Sequence, residues 1–125
     1  MDWGIANRMA RILKPDTGKT VMLAVDHGYF LGPTGGLEEP RKTIVPLLPH
    51  ADSLMLTRGV LRSAVPPEAD IPIVLRISGG TSILRELSGE GLTVAFEDAV
   101  RLNASAITLS IFVGSEGERE TLLNL

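Results

Sequence analysis

The sequence predicts an α/β fold: the N-terminal half of a (β/α)8 TIM barrel, with four parallel strands preceded by an N-terminal helix. Apolar runs of strand length alternate with segments of helical periodicity, the order typical of βα units. The runs are continuously apolar, which indicates parallel strands covered on both faces. The spacing between their starts is uneven but averages about 30 residues, the repeat of an eightfold barrel of about 250 residues.

The first half of the chain predicts two helices and two strands. Apolar side chains at helical spacing, beginning with Trp3, predict a helix that ends before Pro15, and we expect its apolar face to close the bottom of the barrel. Strand one is predicted over residues 21–25 and strand two over 53–57. Between them, acids and an early proline favour a helix that begins at 38 or 40 and ends at 48.

The second half predicts two further strands. A helical turn over 60–64 ends at a Pro-Pro pair, strand three covers 71–77, and Gly79-Gly80 ends it. A turn of helix is predicted over 81–87, residues 91–96 stay ambiguous, and helix three over 97–103 precedes strand four over 107–113. Ser115 and Glu118 form a capping-box pattern. We therefore expect residues 1–125 to be an incomplete barrel domain that is cut within helix four.

Composition excludes several classes of function. The chain has 125 residues, a net charge of -3 and 44% hydrophobic residues, values typical of one soluble globular unit. Basic residues do not cluster, so we expect no nucleic-acid partner. No apolar run approaches the ~20 residues that span a bilayer and the start is unlike a secretory leader, so we expect no membrane partner and a cytoplasmic location.

Cofactor and nucleophile motifs are also missing from the sequence. Without cysteine, neither thiolate chemistry nor a cysteine-ligated metal is possible, and the two histidines lack any metal-ligand spacing, so we expect no metal site and no resident cofactor. Periodicity alone would allow a Rossmann-like open sheet. However, no strand is followed by a G-x-G-x-x-G or Walker loop, and no G-x-S-x-G elbow is present.

Asp26 and His27 are the candidate catalytic residues. They follow the apolar run of strand one in the segment VMLAVDHG, where the side chains at a strand's carboxyl end face the reaction zone of a barrel. A desolvated Asp26 can hold a substrate hydroxyl or transfer a proton; the alternative is that it only caps the loop over 28–36. His27 points to the other side of the strand, where a structural role and proton transfer both remain open. His50 lies at the opposite face and is expected to bind helix carbonyls.

Three residues are candidates for substrate binding. Arg58 follows strand two and can bind a phosphate or carboxylate with two hydrogen bonds, or form a salt bridge on the barrel rim. Arg76 lies within strand three, and we expect it to pair with Asp26 in the barrel interior. Ser78 begins a glycine-rich stretch over 78–82 that can form an anion-binding nest or a simple turn. The glycine-rich segment 32–36 is a candidate lid.

Several tracts of the sequence resemble those of one enzyme family. They include DWG at 2–4, VMLAVDHGYF at 21–30, TRG at 57–59, VLR at 74–76 and DAVRLN at 98–103. With them, the chain resembles the N-terminal half of the archaeal-type class I fructose-bisphosphate aldolase family, and in particular its autoinducer-2-processing branch. The resemblance implies an active-site aspartate at Asp26, a Schiff-base lysine on a later strand, a phosphate site in the last loops and a homo-oligomer, a decamer in full-length relatives.

The lysines of this chain agree with an incomplete site. Lys14 and Lys19 precede strand one and Lys42 lies on an outer helix, so none is expected at the carboxyl ends of the strands. The resemblance implies the N-terminal portion of a thiolase or aldolase that acts on a phosphorylated ketone, with coenzyme A as co-substrate if the reaction is thiolytic. Because none of its lysines is expected at the site, we expect this portion to be inactive alone. Alternatives are fructose-bisphosphate aldolase, aminodideoxyheptulosonate synthase, a phosphate-binding module, or a non-catalytic remnant that self-associates.

Overall fold

A computed structural model describes residues 1–28, 34–80 and 89–125. The helices are α1 (Trp3–Ile12), α2 (Pro40–Leu47), α3 (Arg58–Ala64), α4 (Phe96–Arg101) and α5 (Glu118–Leu123), and a 3-10 turn covers Leu48–His50. The strands are β1 (Met22–Ala24), β2 (Ser53–Thr57), β3 (Ile73–Arg76), β4 (Ser78–Gly80), β5 (Glu90–Leu92) and β6 (Ala106–Thr108). The turn of helix predicted over 81–87 lies outside the described residues.

Four of the strands form one parallel sheet. Its order is β1-β2-β3-β6, and every neighbouring pair is parallel. Helices connect successive strands, as parallel crossovers require. The predicted α/β architecture, with four parallel strands after an N-terminal helix, is confirmed. The separate antiparallel pair of β4 and β5 was not predicted from the sequence.

The two faces of the sheet have different environments. One face packs against the helices, with Leu54, Leu56 and Leu75 fully buried. On the other face Met22 is 38% exposed and Ala24 is also exposed. The expectation of burial on both faces is therefore confirmed for β3, all four residues of which are buried, and is wrong for the edge strand β1. In a closed barrel the inner face is covered by the opposite strands, and apolar side chains on both faces produce the continuous runs.

Helix α1 is attached at the amino ends of the strands. Asp2 caps the helix by accepting a hydrogen bond from the Gly4 amide at 2.8 Å. After the helix, Asp52 accepts from the Val21 amide at 2.8 Å and lies 3.6 Å from the Lys14 ammonium. No residue of α1 is buried and Trp3 is 79% exposed. The expected apolar closure of the barrel bottom is thus absent from this structure.

The last helix begins later than the capping-box pattern predicts. Its N-cap is Gly117, without a side-chain cap. The Ser115 hydroxyl donates to the Phe112 carbonyl at 2.7 Å, and the Glu118 carboxylate accepts from the Gly114 amide at 2.8 Å. Local side-chain to backbone bonds have replaced the reciprocal cap. No helix in the described ranges is both long and apolar enough to cross a bilayer.

Candidate active site at the carboxyl ends of the strands

Polar side chains gather where the parallel strands end. Asp26 follows β1, Thr57 ends β2, Arg76 ends β3, and Ser110 follows β6. Because parallel strands present their carboxyl ends at one edge, these residues from distant parts of the chain are brought together. This edge, called the carboxyl edge below, is where TIM-barrel enzymes carry their active sites.

Arg76 is the centre of a buried polar network at this edge. Its Nη1 lies 3.0 Å from Asp26 Oδ2, and the two side chains are 9% and 8% exposed. The ion pair expected between them is therefore present. Arg76 Nε donates to both the carbonyl and the hydroxyl oxygen of Ser78 at 3.1 Å, and Nη2 donates to the Ser110 hydroxyl. A buried guanidinium needs such partners to offset its desolvation.

Glu90 is a member of the network that sequence reasoning missed. Both of its carboxylate oxygens accept from Arg76 Nη2, at 3.0 and 2.9 Å, and the Ser78 hydroxyl donates to it at 2.7 Å. The residue is 4% exposed. It is delivered by the antiparallel hairpin of β4 and β5, in which Glu90 pairs with Gly80. A lone acid between Gly89 and Gly91 is the one sequence signal that marks it.

Arg58 forms the salt bridge that was the alternative to ligand binding. Its Nη1 lies 2.7 Å from Asp98 Oδ2 in the first turn of α4. The hydrogen bond from Arg58 lowers the pKa of Asp98 below its ordinary value of 3.8, partly opposed by desolvation, and the charges of Arg58 and Arg62 and a hydrogen bond from Arg101 lower it further. The pair holds the Arg58 guanidinium at the rim, so an arriving anion would compete with Asp98.

Two cavities open at the carboxyl edge. The larger, of about 550 Å³, lies between the ends of β1 and β2, and its lining includes Asp26, Glu38 and Ser63. The smaller, of about 220 Å³, lies between the ends of β2 and β3. It is lined by Thr57, Arg58, Gly59, Arg76, Ser78, Thr93 and Val94. All three candidate substrate-binding residues therefore line one cavity, and Asp26 lines its neighbour.

The histidines lie apart from this network. His27 is half-buried, and neither cavity, as lined by described residues, includes it. His50 ends the 3-10 turn before β2, at the amino ends of the strands, and is exposed. Within the described ranges no group of three or more histidines and acids could hold a metal ion.

The lysines lie away from the carboxyl edge. All three fall within the described ranges. Lys14 pairs with Asp52 near the start of β1, and the Lys14 amide bonds to the Lys19 carbonyl at 3.0 Å. Lys42 lies on α2, 2.7 Å from Glu39. None of these amines is placed to attack a carbonyl group beside Asp26.

The glycine-rich segments 78–82 and 32–36, the candidate anion-binding nest and the candidate lid, are each described only in part. Residues Ser78–Gly80 form an extended strand, so the predicted nest is not present over these three residues, because a nest needs alternating helical conformations. Thr81 and Ser82 lie outside the described residues, as do residues 32 and 33 of the candidate lid. After them, Gly36 adopts a φ of 88° and precedes Leu37 and Glu38, which line the larger cavity.

Comparison with known sequences identifies the same family of enzymes. The family model described as "DeoC/LacD family aldolase" matches residues 20–125. The whole chain is 54% identical to 3-hydroxy-5-phosphonooxypentane-2,4-dione thiolases from Escherichia coli K12 and Photorhabdus laumondii. The chain covers 43% of the length of each of these relatives.

Solved structures share the fold. A Schiff-base-forming fructose-1,6-bisphosphate aldolase matches with a TM-score of 0.74 at 22% identity. An archaeal fructose 1,6-bisphosphate aldolase matches with the same TM-score at 25% identity. Each comparison covers 96% of this chain and 49% of the other. The carboxyl edge therefore belongs to half of a barrel of this type.

Proposed function

This chain belongs to the DeoC/LacD aldolase family, and from that premise we propose that it contributes the acidic and anion-binding half of the active site of a Schiff-base-forming thiolase. The proposed substrate is a phosphorylated ketone of the 3-hydroxy-5-phosphonooxypentane-2,4-dione type, because the chain is 54% identical to thiolases named for that compound. The observation that carries the proposal is the buried pair of Asp26 and Arg76 at the carboxyl edge, where no lysine of this chain is present.

Asp26 is proposed as the group that holds a substrate hydroxyl and transfers its proton. The carboxylate is 6% exposed and lines the larger cavity. Arg76 Nη1 binds its Oδ2 at 3.0 Å, which holds the carboxylate at the carboxyl edge. Breaking a carbon–carbon bond beside a carbonyl requires a proton to move between the substrate and a nearby base, and a positioned carboxylate can carry it. His27 stays a candidate second proton carrier.

We propose that the phosphorylated end of the substrate binds in the smaller cavity, and not in the last loops, where the family resemblance implies a phosphate site. Arg58 lies at its rim, and hydroxyl groups of Thr57, Ser78 and Thr93 belong to residues of its wall. A guanidinium can bind a phosphate with two parallel hydrogen bonds, which makes Arg58 the principal anchor once it leaves Asp98. The covalent step is assigned to a lysine amine on polypeptide outside this chain.

A thiolase is favoured over a fructose-bisphosphate aldolase by the degree of similarity. Identity to the thiolases is 54% over the whole chain, against 22% and 25% for two structurally similar aldolases. In a thiolase, coenzyme A would be the co-substrate that accepts the acyl group. Dependence of product formation on added coenzyme A separates this reaction from simple aldol cleavage.

Borohydride trapping tests where the nucleophile lies. The chain is incubated with the phosphorylated ketone and borohydride, alone and together with the remaining part of the Escherichia coli relative. We expect no reduced adduct on this chain and an adduct on the added polypeptide, read by mass spectrometry. A stoichiometric adduct on Lys14, Lys19 or Lys42 would overturn the proposal.

The reconstituted protein also tests Asp26. We expect Asp26→Asn to lower turnover by about a hundredfold or more, the scale of a lost general acid–base group. Asp52→Asn is the matched control, because Asp52 is an acid at the amino ends of the strands that bonds to the Val21 amide. Turnover of that control within about twofold of wild type separates the Asp26 effect from loss of charge alone.

A further inference from the structure

We propose that Glu90 is a positioning residue, which orients the Asp26 carboxylate by fixing the guanidinium of Arg76. No direct contact between the two acids is needed, because Arg76 bonds to both. The geometric part of this inference stands on described contacts alone. The importance of the Asp26 orientation for catalysis rests on the proposed function.

The contacts of Arg76 show how orientation is transmitted. The guanidinium is planar, and its donors point in fixed directions. Nη2 is held by both oxygens of Glu90, at 3.0 and 2.9 Å, while Nε is held by Ser78. With two corners of the plane fixed, the direction of Nη1 is fixed as well. Nη1 is the nitrogen that meets Asp26 at 3.0 Å.

Glu90 is itself held from several directions. The Ser78 hydroxyl donates to its Oε2 at 2.7 Å, and the backbone is paired in the hairpin opposite Gly80. The Asn124 side chain donates to the Glu90 carbonyl at 3.3 Å. Since the carboxylate is buried and hydrogen-bonded, it has few alternative orientations and can act as a rigid support.

Glu90 is therefore proposed to orient Arg76, which is more than a purely structural ion pair would do. A structural pair stabilises the folded chain, and its loss changes the free energy of unfolding without changing the orientation of Arg76 in molecules that remain folded. A positioning residue, in contrast, changes the motion of Arg76 and the environment of Asp26 within the folded state. These two readouts separate the roles.

The test uses the isotopically labelled 125-residue chain and compares Glu90→Gln with wild type by nuclear magnetic resonance. Glutamine keeps the shape of the side chain but loses its charge. We expect rotation of the Arg76 guanidinium about the Nε–Cζ bond to accelerate by about tenfold or more, because one charge-assisted hydrogen bond is worth at least that factor. The carboxyl carbon signal of Asp26 should move at the same time.

Glu68→Gln is the matched control, because Glu68 is an exposed acid before β3. The Arg76 and Asp26 signals should both stay unchanged in this variant.

A folded Glu90→Gln variant in which Arg76 and Asp26 keep their wild-type signals would overturn the inference. Loss of amide dispersion in Glu90→Gln would also overturn it, because a neutral isostere that unfolds the chain indicates a structural role. Ser78→Ala removes one hydrogen bond to Glu90 and one from Arg76 Nε, and should accelerate the rotation in the same direction. Neither overturning outcome changes the borohydride result, so the two proposals can fail separately.

Discussion

At the scale of single residues, the carboxyl edge combines side chains of very different exposure. Asp26 and Arg76 are buried and paired with each other, whereas Arg58 is 38% exposed and has one described acidic partner, Asp98. Binding a phosphate at Arg58 requires that this partner be displaced. A partly exposed pair costs less to separate than a buried one, because water solvates both groups as they part. Arg58 can therefore exchange its acidic partner for a ligand more easily than Arg76 can.

The lowered pKa of Asp98 predicts how the Arg58 pair depends on pH. Because the folded-state pKa lies below the ordinary value of 3.8, the pair stabilises the fold above that value, and its contribution is lost as the pH falls through the folded pKa. We expect Asp98→Asn to lower the urea midpoint at about pH 7 and to have little effect at about pH 2.

Urea unfolding at several pH values checks this prediction. Glu97→Gln is the control, because Glu97 is the adjacent exposed acid on the same helix turn and no described ion pair includes it. Its difference from wild type should not follow the same pH profile. A difference between Asp98→Asn and wild type that stays constant from neutral to acidic pH would contradict the assigned ion pair.

At the scale of elements, helix α4 ends one turn before β6 in a Schellman motif. Asn103 has a φ of 55°, its amide bonds to the Val100 carbonyl, and the Ala104 amide bonds to the Ala99 carbonyl, both at 3.0 Å. The sequence predicted this helix over 97–103, so its end was placed too late. The left-handed residue turns the chain towards β6, whose register with β3 places Thr108 beside Arg76.

The left-handed conformation of Asn103 predicts effects of different size for two substitutions. Asn103→Val should lower the free energy of unfolding by about 1–2 kcal/mol, because a β-branched residue is strained at positive φ. Asn103→Gly should stay within about 0.5 kcal/mol of wild type, since glycine adopts this conformation without strain. Equal destabilisation in urea unfolding would show that the asparagine side chain, and not its backbone conformation, matters here.

At the scale of the whole molecule, the sheet has two edges within the described ranges. Strands β1 and β6 each have one described neighbour, and Val21 and Met22 at the first edge are 60% and 38% exposed. Unpaired backbone groups beside apolar side chains favour pairing with another chain. This arrangement supports the alternative in which the isolated chain associates with itself.

We expect the weight-average mass of the isolated chain to rise with concentration in sedimentation velocity. Met22→Lys should weaken this association by about tenfold, because a charge on an edge strand opposes pairing. Val100→Lys is the control, since Val100 is 76% exposed on α4 and lies off the sheet edge. A monomer at every concentration, or equal effects of both variants, would exclude association through β1.

The sequence by itself determined the order of the four parallel strands with their helices and the bounds of β2 at Ser53–Thr57, because apolar periodicity is local. It also predicted the pairing of Asp26 with Arg76, because parallel strands end at one edge, but it did not predict the antiparallel pair of β4 and β5. Only the tertiary structure decided that Glu90 joins that pair and that Asp98 binds Arg58. Glu90 and Asp98 each contact an arginine from another segment of the chain. No residue pattern within the segment of either acid shows that an arginine will lie beside it in the folded protein.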